Sequence, residues 1–493
     1  MSEHLAHDVR QGVHAQKVMQ SYQSWLGEGP ELSVLRMLGL FDRPAEEKAF
    51  EALLKSPAIP DLTESLTDLS PTEWRTILAK LRRARLLAGE DPHNPGHLDT
   101  HPLVREYFGE QLRSQQTEAW KECNKRLFNY YRTLAPQLPD NFREIEPLFL
   151  AVICGCNAGL FREALNEVYM PRIQRGDAHF AANVLGAIGP LLSVLVHFFE
   201  DGRWGSLAET AVEEQILPAK DQLFILMQAG LYLTATRGMA APEARICYER
   251  AEPLCHSMNH PQLLYVALMG QYRYTLMADK LSAAMQIAER AYSLAQEQNE
   301  TNSLAVALHF AAFLARYERN PAEVERLASD LIELSTVQNF AFWLACGEIS
   351  RGWARSASGD PDQGIASIDD GIREYRATGS ILIMPSWLAL KAEALHLANR
   401  TSEALAAIAE AEAVAQRTEE RESLAELHRL RGVFLANMGG DEVQIETSFC
   451  EAIRIAKKQK SVSLTTRAGA SYAEYCRQKA SGLGGHGFRL PLC

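Results

Sequence analysis

The sequence has no apolar stretch long and unbroken enough to span a membrane. The longest, residues 182–199, carries Asn183, Ser193 and His197 and a Gly189-Pro190 break, which would leave a spanning helix short and interrupted. It reads instead as two buried helical pieces. Residues 1–11 (MSEHLAHDVRQ) lack a basic segment followed by an apolar one, so no secretion signal is expected. Cysteine does not stand fourth from the end, as a prenyl anchor needs. Positive charge is in deficit, with 50 Lys and Arg against 62 Asp and Glu and a formal net charge of −12. A field of that sign repels phosphate, which excludes broad electrostatic capture of nucleic acid or anionic membrane and leaves only a local basic patch open. The nine cysteines are odd in number and scattered, the usage of reduced thiols in the cytoplasm. Cys154-Gly155-Cys156 has thiol spacing, but no second ligand pair follows nearby, so no metal site is expected. The paired acids Asp369-Asp370 and Glu419-Glu420 have no nucleophile or histidine at fixed spacing, and no catalytic residue is assigned.

What the sequence does have is a register. With 493 residues, 47% of them hydrophobic, the chain can bury a large core, either as about three domains or as one elongated array. Stacking 244–251, 284–291, 324–331, 364–371, 404–411 and 445–452 aligns six segments whose ends, Ala251, Ala291, Leu331, Gly371, Ala411 and Ala452, follow at steps of 40, 40, 40, 40 and 41 residues. Four residues after each first position stand Tyr248, Ala288, Ala328, Ile368, Ile408 and Phe449. Small residues let two helix backbones approach, and the apolar residue between them fills the gap. Upstream, Gly352, Ala392 and Gly432 recur within apolar-periodic stretches such as 424–436 (LAELHRLRGVFLA), which predicts a second helix per unit. Asn320-Pro321, Gly359-Asp360-Pro361, Asn399-Arg400-Thr401 and Gly439-Gly440-Asp441 supply the turns and caps between the two helices.

This pattern resembles the tetratricopeptide repeat, with a small residue in the first helix and two small residues seven apart in the second. A unit of about 40 residues, against the usual 34 or so, is similar to the extended arrays of large bacterial regulators, the maltose-regulator type among them. The resemblance covers roughly 221–480, and within it 351–477 is similar to arrays that follow bacterial ATPase and nucleotide-cyclase modules. It implies an all-α, right-handed α-solenoid whose first helices line a groove for peptides or proteins. Projection of the helices around Ala312, Gly352, Ala392 and Gly432 turns His309, Phe313, Arg316, Trp353, Glu393, His396 and Arg429 toward that groove; the alternative for Phe313 and Trp353 is the core.

The N-terminal third has no such register. Helices are expected over 31–41, 45–55 and 71–87, then a hairpin formed by 86–90 and 97–101 around Asp91-Pro92-His93-Asn94-Pro95-Gly96, then an amphipathic helix over 102–112. Three helices and a two-stranded wing make a winged-helix domain. The segment Leu98-Asp99-Thr100-His101-Pro102-Leu103-Val104-Arg105 is similar to the histidine motif of the winged helix in signal-transduction ATPases with numerous domains (STAND), although Thr-His-Pro stands where that family has Met-His-Asp. The resemblance implies that His101 senses a nucleotide phosphate, with Arg105 beside it at i+4. Arg75, Lys80, Arg82, Arg83 and Arg85 cluster on the third expected helix, the one that a DNA-reading winged helix would insert into the major groove, with Glu73, Glu90, Asp91, Glu106 and Glu110 to offset them.

No G-x-x-x-x-G-K-[ST] phosphate loop occurs, so ATP or ADP is expected only if an ATPase module is supplied from outside this chain. The resulting expectation is a linker at 1–25, a winged helix at 26–113, an irregular helical connector at 114–220, repeats at 221–480 and a disordered tail at 481–493. The chain is expected to be the regulatory arm of a larger or split STAND-type protein: non-catalytic, cytoplasmic, with a protein partner in the groove and a P-loop ATPase as a second partner. The alternatives are a free-standing interaction scaffold and a winged-helix transcription regulator.

Overall fold

The computed structural model describes residues 17–208, 217–278, 280–298 and 301–482. The first sixteen residues of the expected linker, and the expected tail beyond Gly482, lie outside the described residues. Among those described there is no β-strand, only two isolated bridges. The chain divides into two compact units, 1–173 and 174–493.

The first unit contains α1 (Pro30–Leu38), α2 (Glu47–Leu54), α3 (Pro71–Arg83), α4 (Pro102–Gln115), α5 (Thr117–Leu134) and α6 (Phe142–Asn157). Helix α1 is buried along most of its length against α3 and α4. At its end a Cβ on Gly39 would lie 2.3 Å from the Gly109 Cα, so the contact requires glycine on both sides. Ser70 opens α3 with a reciprocal capping box to Glu73, and Pro71 follows at the first helical position. The expected hairpin does not form as a two-stranded wing. Ala88 N–H donates to the Asp99 carbonyl at 2.8 Å, but Leu98 exchanges both backbone hydrogen bonds with Ala45 instead. Pro92 and Pro95 remove two N–H donors from the segment that would have zipped the wing.

In the second unit the apolar stretch forms two pieces, Phe180–Asn183 and α7 (Ile188–Leu195). The break falls at 184–187, ahead of Gly189-Pro190, because a proline in the first helical turn forfeits no hydrogen bond. Then come six helix pairs: α8 (Ala219–Arg237) with α9 (Pro242–Ser257), α10 (Pro261–Met277) with α11 (Leu281–Gln298), α12 (Thr301–Tyr317) with α13 (Pro321–Gln338), α14 (Ala341–Ala357) with α15 (Pro361–Ala377), α16 (Met384–Leu397) with α17 (Thr401–Thr418), and α18 (Leu424–Asn437) with α19 (Glu442–Lys458). A last helix, α20 (Val462–Ala480), packs on both α18 and α19. Asn320, Asp360 and Asp441 cap α13, α15 and α19 through their side chains. This is a tetratricopeptide-like stack of helix pairs.

The 40-residue register lies on the contact face of the second helix in each pair. Tyr248, Ala328, Ile368, Ile408 and Phe449 are each 4% exposed or less. A Cβ on Gly352 of α14 would lie 2.5 Å from the Gly364 carbonyl oxygen of α15, and one on Gly432 of α18 would lie 2.9 Å from the Phe449 ring of α19. The stack also closes on itself. Backbone N–H groups of Arg421 and Glu422 donate to the Ala235 carbonyl at 2.7 and 3.2 Å, α10 touches α20, and Met277, Ala425, Ala456 and Leu464 share one apolar cluster.

Gly352→Val should destabilise by about 1–3 kcal/mol, since the colliding atom is backbone and cannot rotate away. Gly469→Ala, where a Cβ meets nothing within 4 Å, should stabilise by about 0.5–1 kcal/mol through helix propensity. Thermal unfolding followed by far-UV circular dichroism separates the two directions.

Candidate functional site

Inside the closed stack a pocket of about 90 Å³ is lined by Phe313, Arg316 and Tyr317 of α12, Glu393 of α16, Glu426 of α18 and Arg467 of α20, with Arg319 and Glu422 from the connecting turns. The turn after α12 is fixed by Arg319 in a left-handed conformation, φ 57°, and by the Asn320 side chain, which accepts from Glu323 N–H. That reversal carries the Arg319 guanidinium over the Trp353 ring and onto Glu393 at 2.5 Å.

The charges form a lattice. Glu393 is bound by Arg319 and by the Trp353 indole N–H, which donates at 3.2 Å. Glu426 takes both arms of Arg429, with contacts at 2.7 and 2.9 Å, and lies 3.7 Å from Arg319 and from Arg467. Glu422 receives Arg273 at 2.7 Å. Arg429 reaches on to Ser471 Oγ. Such fork-shaped pairs hold side chains that would otherwise be costly to bury. Burial alone would raise the Glu426 carboxyl, but Arg429, Arg467 and Arg319 outweigh it and hold the group at about 2.

Arg316 stands apart within the lattice. Its side chain has no hydrogen bond or ion pair among the described residues, and its guanidinium sits 4.9 Å from the Phe313 ring centre. Removal from water lowers it to about 10, with Glu393 and Glu422 opposing that shift and Arg319 and Arg467 reinforcing it. It remains a cation at neutral pH.

Of the residues projected toward the groove, the pocket brings together Phe313, Arg316 and Glu393. Trp353 and Arg429 lie beneath it, each 1% exposed, and act on it through Glu393 and Glu426. His309 is enclosed by Phe310, Trp343 and Trp387; burial, then the Arg316 and Arg273 charges, lower it to about 3 and keep it neutral. His396 stacks on Phe434 and bonds Thr401 and Asn437, away from the pocket lining. Projection missed Arg273, Arg319, Glu422, Glu426 and Arg467. Glu426 was within reach of sequence reasoning, because it precedes Arg429 by three residues on one helix. Arg319 and Glu422 sit in turns, where helical projection says nothing.

In the first unit His101 is exposed and caps α4, its Nδ1 accepting from Leu103 N–H at 3.3 Å. Arg105 turns back onto Asp99 at 2.6 Å. Lys80 pairs with Glu31 at 2.7 Å, and Arg82 donates to the Ala88 carbonyl. Arg75 bonds the Pro71 carbonyl in its own helix, Arg83 is exposed, and Arg85 occupies a left-handed turn. Two of the five basic residues are thus tied to neighbours outside their own helix. No group of three or more His, Cys, Asp or Glu residues able to hold a metal occurs among the described residues, and no helix among them is long and apolar enough to cross a membrane.

No protein-family model matches the chain. A curated protein of Rhizobium meliloti (strain 1021), described as uncharacterized, is 30% identical over 123 residues, which is 25% of this chain and 12% of that protein; the chain thus spans about an eighth of the relative's length. Among solved structures it is similar to a STAND protein with a tetratricopeptide repeat sensor from Pyrococcus horikoshii, at 14% identity and TM-score 0.38 over 95% of this chain and 62% of that one. It is also similar to a Rap protein complexed with Competence and Sporulation Factor, at 11% identity and TM-score 0.39 over 76% of this chain and 94% of that one. A third is PlcR of Bacillus thuringiensis in complex with the peptide PapR7 and DNA, at 13% identity and TM-score 0.32 over 60% of this chain and 98% of that one. The fold assignment rests on the helix pairs and their register.

Because the Glu426 carboxyl is lower in the folded chain than its ordinary 4.5, its charge stabilises the fold above that pH and ceases to as pH falls toward about 2. Glu426→Gln should therefore lower stability at neutral pH by about 2–3 kcal/mol. The gap between wild type and variant in urea titrations should close steadily below about pH 4.5.

Proposed function

We propose that this chain is a non-catalytic regulator whose repeat unit binds a protein or peptide partner in the pocketed groove, and whose first unit passes that occupancy to a nucleotide-dependent switch. The observation that carries the reading is the pocket itself. Six residues from four different helices converge there, and buried Arg–Glu pairs fix them, so the pocket is formed before a ligand arrives. Preorganisation of that kind reduces the entropy lost on binding. An aromatic ring beside an unpaired guanidinium is the composition of a binding hot spot.

The relay is the finer part of the proposal. It takes the first unit as a winged helix, supported by the three helices α1 to α3 and by the Ala88–Asp99 hydrogen bond where a wing would begin. It assigns phosphate sensing to His101, which is exposed at the start of α4, where backbone N–H groups favour an anion. Arg105 would have to leave Asp99 to join it. ATP or ADP enters only through a partner ATPase module, and the relay needs a coupling free energy between groove occupancy and nucleotide state.

Pull-down from native lysate with the full chain, against Phe313→Ala with Tyr317→Ala, tests both parts. Loss of bound proteins in the double variant, with a P-loop ATPase retained by both forms, is the expected result. Retention of the same proteins by both forms overturns the groove as the binding face. Groove-dependent partners with no ATPase would leave a free-standing scaffold. Salt-sensitive duplex binding that disappears on changing Arg82 and Arg83 to Ala would move the function to DNA.

A further inference from the structure

The pocket is a charge lattice with one uncompensated member. Around it, among the described residues, the carboxylates set against Arg273, Arg316, Arg319, Arg429 and Arg467 are those of Glu393, Glu422 and Glu426. Four of the five arginines have a carboxylate partner. The fifth, Arg316, lines the cavity with an aromatic ring as its contact. His309, two turns earlier on the same helix, is neutral and supplies no counter-charge.

Arg316 is half-buried, and a guanidinium partly shielded from water with no carboxylate at hydrogen-bond distance keeps its donors available to an incoming anion. The space in front of it, about 90 Å³, is far more than one water needs and has room for a compact polar group of a ligand. A guanidinium presents parallel N–H donors in a planar fork, which match the oxygens of a carboxylate or a phosphate.

We propose that Arg316 is the recognition residue of an oxyanion subsite, and that the ligand bound in this groove places a phosphate or carboxylate group in the pocket. Arg319 and Arg467 flank the anion and stay paired to their glutamates; those glutamates repel an anion that enters away from Arg316, so they fix where it sits. The subsite rests on the groove being the partner-binding face, but it can be tested without the partner.

Thermal unfolding of the full chain is followed at constant ionic strength in chloride, and then with inorganic phosphate, sulfate or succinate replacing part of the chloride. The wild type should melt about 2–5 °C higher in the preferred oxyanion than in chloride. Arg316→Met should lose that rise. In chloride alone it should melt no lower than wild type, because an apolar chain of similar length replaces an unpaired cation. Arg316→Lys keeps the charge without the fork and should retain a smaller rise. A rise with phosphate and sulfate alone identifies a phosphate source, a rise with succinate alone identifies a carboxylate source, and a rise with all three supports the subsite for either. No rise with any anion, or a rise undiminished in Arg316→Met, overturns it. If the anions fail while Phe313→Ala with Tyr317→Ala still releases its proteins, the subsite is wrong and the groove stands. If the anions bind while the double variant keeps its proteins, the subsite stands and the groove reading fails.

Discussion

Everything in the repeat unit depends on how closely two helix backbones can approach. Gly352 meets the Gly364 backbone directly, and Gly432 leaves room for the Phe449 ring to fill the gap between its two helices. These two pairs are thereby held close. Fixed pair geometry makes the positions of Arg316, Glu393, Glu426 and Arg467 reproducible, although the four come from four different helices. Had larger residues held the helices apart, the hydrogen-bond distances within the charge lattice would not be met.

The lattice then imposes a constraint of its own. Buried ion pairs contribute little net stability over well-packed apolar residues, but removing one partner is expensive. A lattice of this kind therefore preserves arrangement more than it adds stability. Trp353 and Arg429 show how: neither lines the pocket, yet each fixes a carboxylate that does. The site thus has an outer layer that lines the pocket and an inner layer that keeps the outer one in place.

The helix pairs were legible because their signal is local and repeated. Small residues seven apart, an apolar residue between them, and caps such as Asp360-Pro361 all act within one turn of the chain. The groove was legible only in part. Helical projection gives a face, so it found Phe313, Arg316 and Glu393. A face does not separate what lines a cavity from what lies one layer below, so Trp353 and Arg429 were placed with them. Arg319 and Glu422 belong to turns, and Arg467 reaches the pocket only because α20 folds back toward α10 and Tyr317; none of these leaves a mark in the spacing of residues. At the other end of the chain, the pairing of Leu98 with Ala45 in place of a wing is a long-range choice made by two backbone segments, and apolar alternation alone could not anticipate it.

A stack of helix pairs ordinarily behaves as a row of neighbours, each unit aware only of the next, so its ends fray and its middle can melt independently. Here the hydrogen bonds from Arg421 and Glu422 to Ala235, and the cluster joining Met277 to Leu464, tie the first pairs to the last. A row with joined ends has no free terminus from which to unzip. Loosening any one pair strains the clasp that the others share, so the unit is built to lose its structure in a single cooperative event, with the pocket lost along with it.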